Sequence, residues 1–245
     1  MRTSLIAGLV FLATATLAQQ QQAVEITSEP SHHLVLQNEY VRVFDVTVAP
    51  KARTMIHRHN SDYLFVTLGD SDLVNVRVGE QPVPLQLKDG EVRYTPGGFA
   101  HTAVNNSEQP FHNITIELLK PSTSVKACSG NCDQFIGCTA DASGAAAGKP
   151  DCPNLIDRIS SDQWKVSWLR LPPSATIQDH FYKGPHLLVA VTPLDLTSEI
   201  GGVGTPIKRD VGGLIWAPTG TAETLKNNTT KPAQIIILEF GPEKP

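Results

Sequence analysis

GEVRYTPGGFAHTAVN, residues 90–105, is the stretch that decides the fold. Pro96 and the glycines beside it predict a tight turn, and His101 follows this turn in a new strand. On both sides the chain carries short runs rich in Val, Ile, Thr and aromatic residues, separated by Gly and Pro turn signals. No window of comparable length repeats apolar residues at helical spacing. The pattern therefore predicts an all-β sandwich or barrel.

The second half of the chain repeats the first. Residues 49–59 (APKARTMIHRH) align with 171–182 (LPPSATIQDHFY), so that His57 falls on His180. Farther along, TPGGFAHTAVN aligns with APTGTAETLKN at almost the same offset. Two nearly equal offsets across about 50 residues favour a tandem duplication.

A pair of histidines precedes the deciding stretch. His57 and His59 are separated by one residue in a β-type segment, so both imidazoles project to the same face. If that face lines a barrel interior, two neutral ring nitrogens converge there, and His101 can deliver a third. The alternative for the pair alone is two exposed polar residues near a turn.

These motifs resemble those of the cupin superfamily, and the duplication resembles a bicupin. The family's second motif is matched at every fixed position: Gly90, Pro96, Gly98, His101 and Asn105. The first motif is matched only in its HxH pair. The resemblance covers residues 31–120 well and residues 161–242 weakly. It implies two small antiparallel jelly-roll barrels in tandem, with the metal site in the N-terminal one.

One position departs from the family pattern. Cupins carry a Glu ligand three or four residues after HxH, where this chain has Tyr63 and Leu64. A phenol, with a reference pKa near about 10, is a poor ligand. We therefore favour a site of three histidines, His57, His59 and His101, with Tyr63 lining the pocket as a candidate catalytic donor of a proton or hydrogen bond. The alternative is a metal-free binding barrel in which the histidines are relics.

The second barrel is eroded at the matching places. The residues there are His180, Tyr182, His186 and Glu223, in place of His57, His59, Tyr63 and His101. One interpretation is decay to a structural barrel or a dimer surface. The other is a rearranged second metal site of His180, His186 and Glu223, that is, two histidines and a carboxylate.

Between the barrels lies a Ser-, Gly- and Ala-rich connector, residues 121–160. It holds all four cysteines of the chain: Cys128, Cys132, Cys138 and Cys152. Two disulfides are the economical interpretation in an oxidising compartment, and the sequence leaves all three pairings open. A zinc site is the alternative, but the paired CxxC knuckles that such sites prefer are missing.

Residues 1–18 predict export. They combine Arg2, an apolar stretch from Leu5 to Ala18 and small residues before a run of Gln, which is typical of a secretory signal peptide cleaved after Ala18. The alternative is a membrane anchor, but the stretch falls short of the roughly 20 apolar residues that span a bilayer. We expect a secreted or periplasmic protein that is not attached to a membrane after cleavage.

The charge of the chain argues against one class of function. The formal net charge is −4, from 20 Lys+Arg and 24 Asp+Glu, and no basic run is present, which argues against nucleic-acid binding.

Similarity to cupins implies a divalent transition metal (Fe, Cu, Zn, Mn or Ni) and dioxygenase or other oxidoreductase chemistry on a small-molecule substrate. A non-catalytic bicupin that binds a metal or small ligand is the alternative, and a homo-oligomeric assembly module is the third possibility.

Overall fold

The structure is a computed structural model that describes residues 22–127, 134–136, 152–220 and 222–241. The expected signal peptide, residues 1–18, lies outside the described residues, as do Cys128, Cys132 and Cys138. Cys152 is buried, and the two disulfides stay a prediction. No helix in the described part of the chain is long and apolar enough to cross a membrane.

Two five-stranded sheets form the first barrel. Sheet A has the strand order β1-β4-β9-β6-β7 and sheet B the order β2-β3-β10-β5-β8. The strands are β1 (Val24–Glu25), β2 (His32–Gln37), β3 (Val41–Val48), β4 (His57–His59), β5 (Tyr63–Leu68), β6 (Ser71–Arg77), β7 (Val83–Leu87), β8 (Val92–Thr95), β9 (Phe99–Asn105) and β10 (Phe111–Leu118). A single 3-10 turn, Ile26–Ser28, follows β1. All pairings within this barrel are antiparallel except β1 with β4.

Two further sheets form the second barrel. Sheet C has the order β11-β13-β14-β21-β16-β19, with β12 also paired to β13, and sheet D has the order β15-β20-β17-β18. The strands are β11 (Val125–Ala127), β12 (Gln134–Ile136), β13 (Asn154–Ser161), β14 (Trp164–Leu171), β15 (Thr176–Phe181), β16 (His186–Ala190), β17 (Leu194–Ile200), β18 (Val203–Arg209), β19 (Leu214–Ala217), β20 (Ala222–Asn227) and β21 (Ala233–Phe240). The expected connector, residues 121–160, thus contributes strands to sheet C.

The two barrels share their strand order and their internal hydrogen bonds. The order β3-β10-β5-β8 of sheet B matches β14-β21-β16-β19 of sheet C, and β4-β9-β6-β7 matches β15-β20-β17-β18. Asn105 and Asn227, one in each copy, are fully buried and each donates to three backbone carbonyls. The acceptors are Val48, Ala49 and Gln109 in the first barrel and Leu171, Pro172 and Lys231 in the second. The repeated network ties the same strands together in each barrel.

Sheets B and C pack against each other through their outer faces. Because strand side chains alternate, Leu64, Val66 and Leu68 of β5 point out of the first barrel, while Tyr63 and Phe65 point into it. The outward side chains of both sheets form one apolar core. Its buried members include Val41, Val43, Ile114, Ile116, Leu118, Trp164, Val166, Leu187, Val189, Ile236, Leu238 and Phe240. The interior of the first barrel holds polar side chains beside a separate buried apolar cluster that includes Phe44, Val46 and Leu73.

The Pro–Gly turn before β9 has a steric cause. Gly98 has φ of +87°, a left-handed conformation that glycine adopts without strain. A Cβ on the neighbouring Gly97 would lie 2.4 Å from the carbonyl oxygen of Ser61, just before β5. The turn therefore packs closely on the segment between β4 and β5, and this contact sets where β9 begins.

Candidate metal centre

Four histidine side chains meet inside the first barrel. His57 and His59 lie on β4, and β9 pairs with β4 so that His57 is opposite His101. His32 begins β2 in the other sheet. The ring centroid of His57 lies 4.6 Å from that of His32, 5.1 Å from that of His59 and 4.5 Å from that of His101. The fold brings together the three histidines that the sequence predicts and adds a fourth.

Each of these rings has its Nδ1 atom facing a fixed oxygen. The pairs are His32 with Glu29 Oε2 at 2.6 Å, His57 with the Met55 carbonyl at 2.9 Å, His101 with Asn75 Oδ1 at 2.7 Å and His59 with Glu117 Oε1 at 3.7 Å. For His32, His57 and His101 the oxygen accepts a hydrogen bond, so Nδ1 is the donor and Nε2 keeps its lone pair. Ligating histidines are held in this way in metalloproteins. At 3.7 Å, Nδ1 of His59 is too far from Glu117 to form one.

Burial keeps the imidazoles of His57, His59 and His101 neutral. It lowers the pKa of His57 to about 3 and that of His101 to about 2, and the neighbouring histidines contribute in the same direction. Burial also lowers the pKa of His59, although Glu117 opposes the effect. Neutral imidazole is the form that binds a metal, so at neutral pH no proton has to leave these rings first.

The residues fit a divalent transition metal. Nε2 of His57 and Nε2 of His101 are buried without a hydrogen-bond partner among the described residues. Leaving such atoms unpaired costs about 1–3 kcal/mol each. A metal–nitrogen distance of about 2.1 Å places ligating rings with their centroids roughly 4.5 Å apart at right angles and roughly 6.4 Å apart across the metal. The separations of 4.5, 4.6, 5.1, 5.2 and 6.3 Å within the cluster fall in this range.

Tyr63 forms part of the wall beside the histidines. Its ring stacks on His59, with centroids 4.0 Å apart and an angle of 17° between the planes. Burial raises the pKa of Tyr63 to about 12, and a hydrogen bond with Thr95 offsets part of this rise. The phenol is therefore protonated at neutral pH and can donate a hydrogen bond. A catalytic role for Tyr63 stays a prediction.

A buried ion pair lies next to His59. Glu117 on β10 is fully buried, and its Oε2 lies 2.6 Å from Nη2 of Arg42 on β3. Its other oxygen faces Nδ1 of His59. Glu117 is also the cross-strand partner of Tyr63, so a carboxylate enters the site from the strand next to the position where cupins carry their Glu.

A cavity of about 270 Å³ opens beside the cluster. Its wall includes the apolar side chains of Val46, Val48, Phe65, Leu73, Leu85 and Phe111. Arg77 and Arg93 also line it, and their side chains are 32% and 37% exposed, which marks the side facing solvent. The guanidinium of Arg77 lies 4.0 Å above the ring of Phe99. The cavity thus has an apolar wall and two arginines at its rim, each beside a glutamate: Arg77 lies 3.9 Å from Glu80 and Arg93 lies 2.6 Å from Glu91.

The second barrel is filled differently. The strand register places His180 opposite Glu223, as His57 is opposite His101, although the side chain of His180 is outside the described part. The Glu223 carboxylate accepts a hydrogen bond from Ser198, and His186 stacks on Tyr182 at 3.7 Å. The histidine and tyrosine have exchanged places relative to His59 and Tyr63.

Aliphatic packing surrounds these groups in the second barrel. Buried leucine and isoleucine side chains include Leu169, Leu171, Ile177, Leu188, Leu194, Leu196, Leu225, Ile235 and Ile237. Among the described side chains, the one group of three potential ligands within 4.8 Å is His32, His57 and His59, in the first barrel. The second site of His180, His186 and Glu223 stays a prediction.

Sequence spacing missed His32, Glu29 and Glu117. His32 and Glu29 precede the barrel strands that carry the motifs, and no alternation links them to the HxH pair. A signal for Glu117 does exist in the duplication, because Glu239 occupies the matching place on β21. A carboxylate present in both halves at the second-last position of an apolar strand is unusual and would have pointed to the interior.

No known family model matches the chain, and no curated protein matches it by sequence. Solved structures do match. AerE from Microcystis aeruginosa is 13% identical, with a TM-score of 0.58 over 87% of this chain and 98% of AerE. Salicylate 1,2-dioxygenase from Pseudoaminobacter salicylatoxidans is 12% identical, with a TM-score of 0.56 over 82% of this chain and 70% of that one.

Oxalate decarboxylase OxdC from Bacillus subtilis is similar to the same degree. It is 8% identical, with a TM-score of 0.56 over 88% of this chain and 77% of its own. These neighbours are cupin-fold proteins. The chain has a cupin fold. The histidine cluster lies in the first cupin barrel, and the matching positions of the second cupin barrel hold Tyr182, His186 and Glu223.

Proposed function

We propose that this chain is a metal-dependent oxidoreductase of the dioxygenase-like class that acts on a small molecule in the first cupin barrel. His57, His59 and His101 hold a divalent transition metal. The observation that carries the proposal is the pair of buried, unpartnered Nε2 atoms on His57 and His101. The salicylate dioxygenase and the oxalate decarboxylase among the structural neighbours support chemistry of this kind.

The size and lining of the cavity favour a small substrate. Its volume of about 270 Å³ is just below the roughly 300–1,000 Å³ of pockets that take drug-sized ligands. A single small organic molecule fits such a space, and a polymer does not. The guanidinium N–H groups of Arg77, whose charge is offset by Glu80 at 3.9 Å, favour a substrate with an oxygen-rich group that accepts hydrogen bonds.

The site can supply a Lewis acid, a water-poor environment and a hydrogen-bond donor for the reaction. When bound, the metal offers a Lewis acid and, if it is iron, copper or manganese, a redox centre. The apolar wall excludes bulk water from the reacting atoms. The phenol of Tyr63, which is protonated at neutral pH, donates a hydrogen bond or a proton to an oxygen of the substrate.

We also propose that the protein is exported and works in the periplasm or outside the cell. The apolar stretch from Leu5 to Ala18, with Arg2 before it, supports this location. Two disulfides among the four cysteines fit an oxidising compartment. N-terminal sequencing of the mature protein should begin just after Ala18, and a retained Met1 would refute the signal peptide.

Metal content tests the proposal most directly. Elemental analysis of the native protein, purified without a His tag, should find one first-row metal per chain, lost in His57→Ala and His101→Ala. One equivalent that persists in Glu223→Ala assigns the metal to the first barrel. Protein that holds no metal and takes none up on titration refutes the proposal.

Oxygen consumption separates an enzyme from a binding protein. An oxygen electrode with a panel of small aromatic and aliphatic carboxylic acids should detect turnover that His101→Ala abolishes while circular dichroism stays unchanged. Metal that binds tightly without turnover of any compound would instead favour the non-catalytic metal- or ligand-binding bicupin.

A further inference from the structure

We propose that His32 is a fourth ligand to this metal and that Glu29 is the residue that orients it. The inference rests on the proposed function, because it concerns the same metal. The cupin motif has a carboxylate ligand that this chain lacks at Tyr63 and Leu64. In our proposal an imidazole from β2, two strands before the HxH pair on β4, takes its place.

Position is the first support. His32 is almost fully buried, at 9% exposure, and its ring lies 4.6 Å from that of His57 and 6.3 Å from that of His59. One ring nitrogen from each of these three residues lies within 4.8 Å of the others. His32 belongs to sheet B, whereas His57, His59 and His101 belong to sheet A. The four imidazoles therefore approach the centre from both sheets.

The hydrogen bonds of Glu29 are the second support. This carboxylate is 3% exposed, and its Oε2 accepts from Nδ1 of His32 at 2.6 Å and from the backbone N–H of Ser31 at 2.8 Å. Its Oε1 accepts from the backbone N–H of Met55 at 3.0 Å, and the carbonyl of Met55 in turn accepts from Nδ1 of His57. One buried carboxylate thus fixes His32 directly and His57 through the peptide backbone.

The position of Glu29 suits this role. A carboxylate that accepts a hydrogen bond from Nδ1 of an imidazole is the carboxylate–histidine–metal arrangement of many metalloenzymes, and it raises the basicity of the ligating nitrogen. Three of the four histidines, His32, His57 and His101, thus have Nδ1 held by a hydrogen bond and present Nε2 as the ligating atom.

Four neutral ligands make a distinct kind of site. The set carries no charge, so the metal keeps its full positive charge apart from the nearby carboxylates of Glu29 and Glu117. Imidazole sets favour copper, zinc, nickel and iron over magnesium and calcium, which prefer oxygen ligands. An anionic group of a substrate would then be attracted by the metal.

X-ray absorption of the Zn²⁺-loaded wild-type protein tests the ligand count without any substitution. Four imidazoles are expected. Three imidazoles with one or more oxygen ligands would overturn the proposal.

Variants give a second readout through Zn²⁺ affinity. We expect His32→Gln to lose one imidazole and to bind Zn²⁺ at least tenfold more weakly. Glu29→Gln should keep four imidazoles and bind about 10–100-fold more weakly, as loss of an orienting partner does. His112→Gln is the matched control, because His112 also pairs with a carboxylate, Asp45, at 2.8 Å, and it is not part of the cluster.

His57→Ala separates the two proposals. If wild-type protein binds Zn²⁺ and loses it in His57→Ala but not in His32→Gln, this proposal is overturned and the proposed function stands. If the wild type takes up no Zn²⁺, both are overturned.

Discussion

Replacing Arg42 by leucine should strongly destabilise the first barrel. Arg42 Nη2 lies 2.6 Å from Oε2 of Glu117, whose carboxylate is completely buried. The substitution leaves that carboxylate in the interior without its cation, which costs about 3–5 kcal/mol. For a chain of this size each kcal/mol corresponds to roughly 2–4 °C in Tm, so we expect a fall of about 6–20 °C.

Urea unfolding of the metal-free protein, followed by far-ultraviolet circular dichroism, measures the effect. Lys88→Leu is the matched control, since Lys88 Nζ and Asp70 Oδ2 are also 2.6 Å apart but both side chains are mostly exposed. Solvent screens such a pair, so its loss should leave the free energy of unfolding unchanged. The contrast isolates burial as the cause.

The double variant Arg42→Leu, Glu117→Leu decides whether the reasoning is right. With both charges removed, most of the lost stability should return, because apolar residues often replace a buried ion pair at no cost. If the double variant is as unstable as Arg42→Leu alone, the loss comes from packing and not from an uncompensated charge. A loss below about 1 kcal/mol in Arg42→Leu itself would equally refute the estimate.

Further predictions concern the site and the core. Metal-free protein should lose stability as the pH falls below about 6.5, by about 1.4 kcal/mol per pH unit for each histidine, because the unfolded rings take up protons that His57 and His101 do not bind when folded. A Tm that is constant from pH 7 to 5 would contradict this, and His57→Gln should flatten the profile. Gly97→Ala should cost about 2–3 kcal/mol in urea unfolding, since its Cβ meets the backbone of Ser61; a wild-type free energy would show that the turn can shift. Ile116→Ala, in the core between the barrels, should cost about 2–5 kcal/mol in the same assay, and a loss below about 0.5 kcal/mol would show that this core is loosely packed.

The strands and three of the four clustered histidines could be predicted from the sequence, because both depend on residues close together in the chain. Alternation puts His57 and His59 on one face of a strand, and the Pro–Gly turn places His101 at the start of the next. That His101 lies beside the strand of His57 and His59 does not follow from alternation or turns. The cupin resemblance implied it. These three positions could be inferred without coordinates.

His32 and Glu117 could not be found in the same way. His32 approaches the cluster from the opposite sheet, and Glu117 reaches it through register with Tyr63 on an adjacent strand. Contacts between sheets depend on how the barrel closes, and no spacing in the chain encodes that distance. The strand β13, within the expected connector, was missed for a related reason, since its role follows from pairing with β14.

The apolar core between sheets B and C has a consequence for each barrel taken alone. Each would expose a broad aliphatic sheet face to water, with Val66 and Ile116 on one and Leu187 and Leu238 on the other. A contiguous apolar face of this kind needs a cover to stay out of water. The second barrel supplies that cover through the outer face of sheet C, so the covering role places no demand on the residues inside it, such as Tyr182, His186 and Glu223.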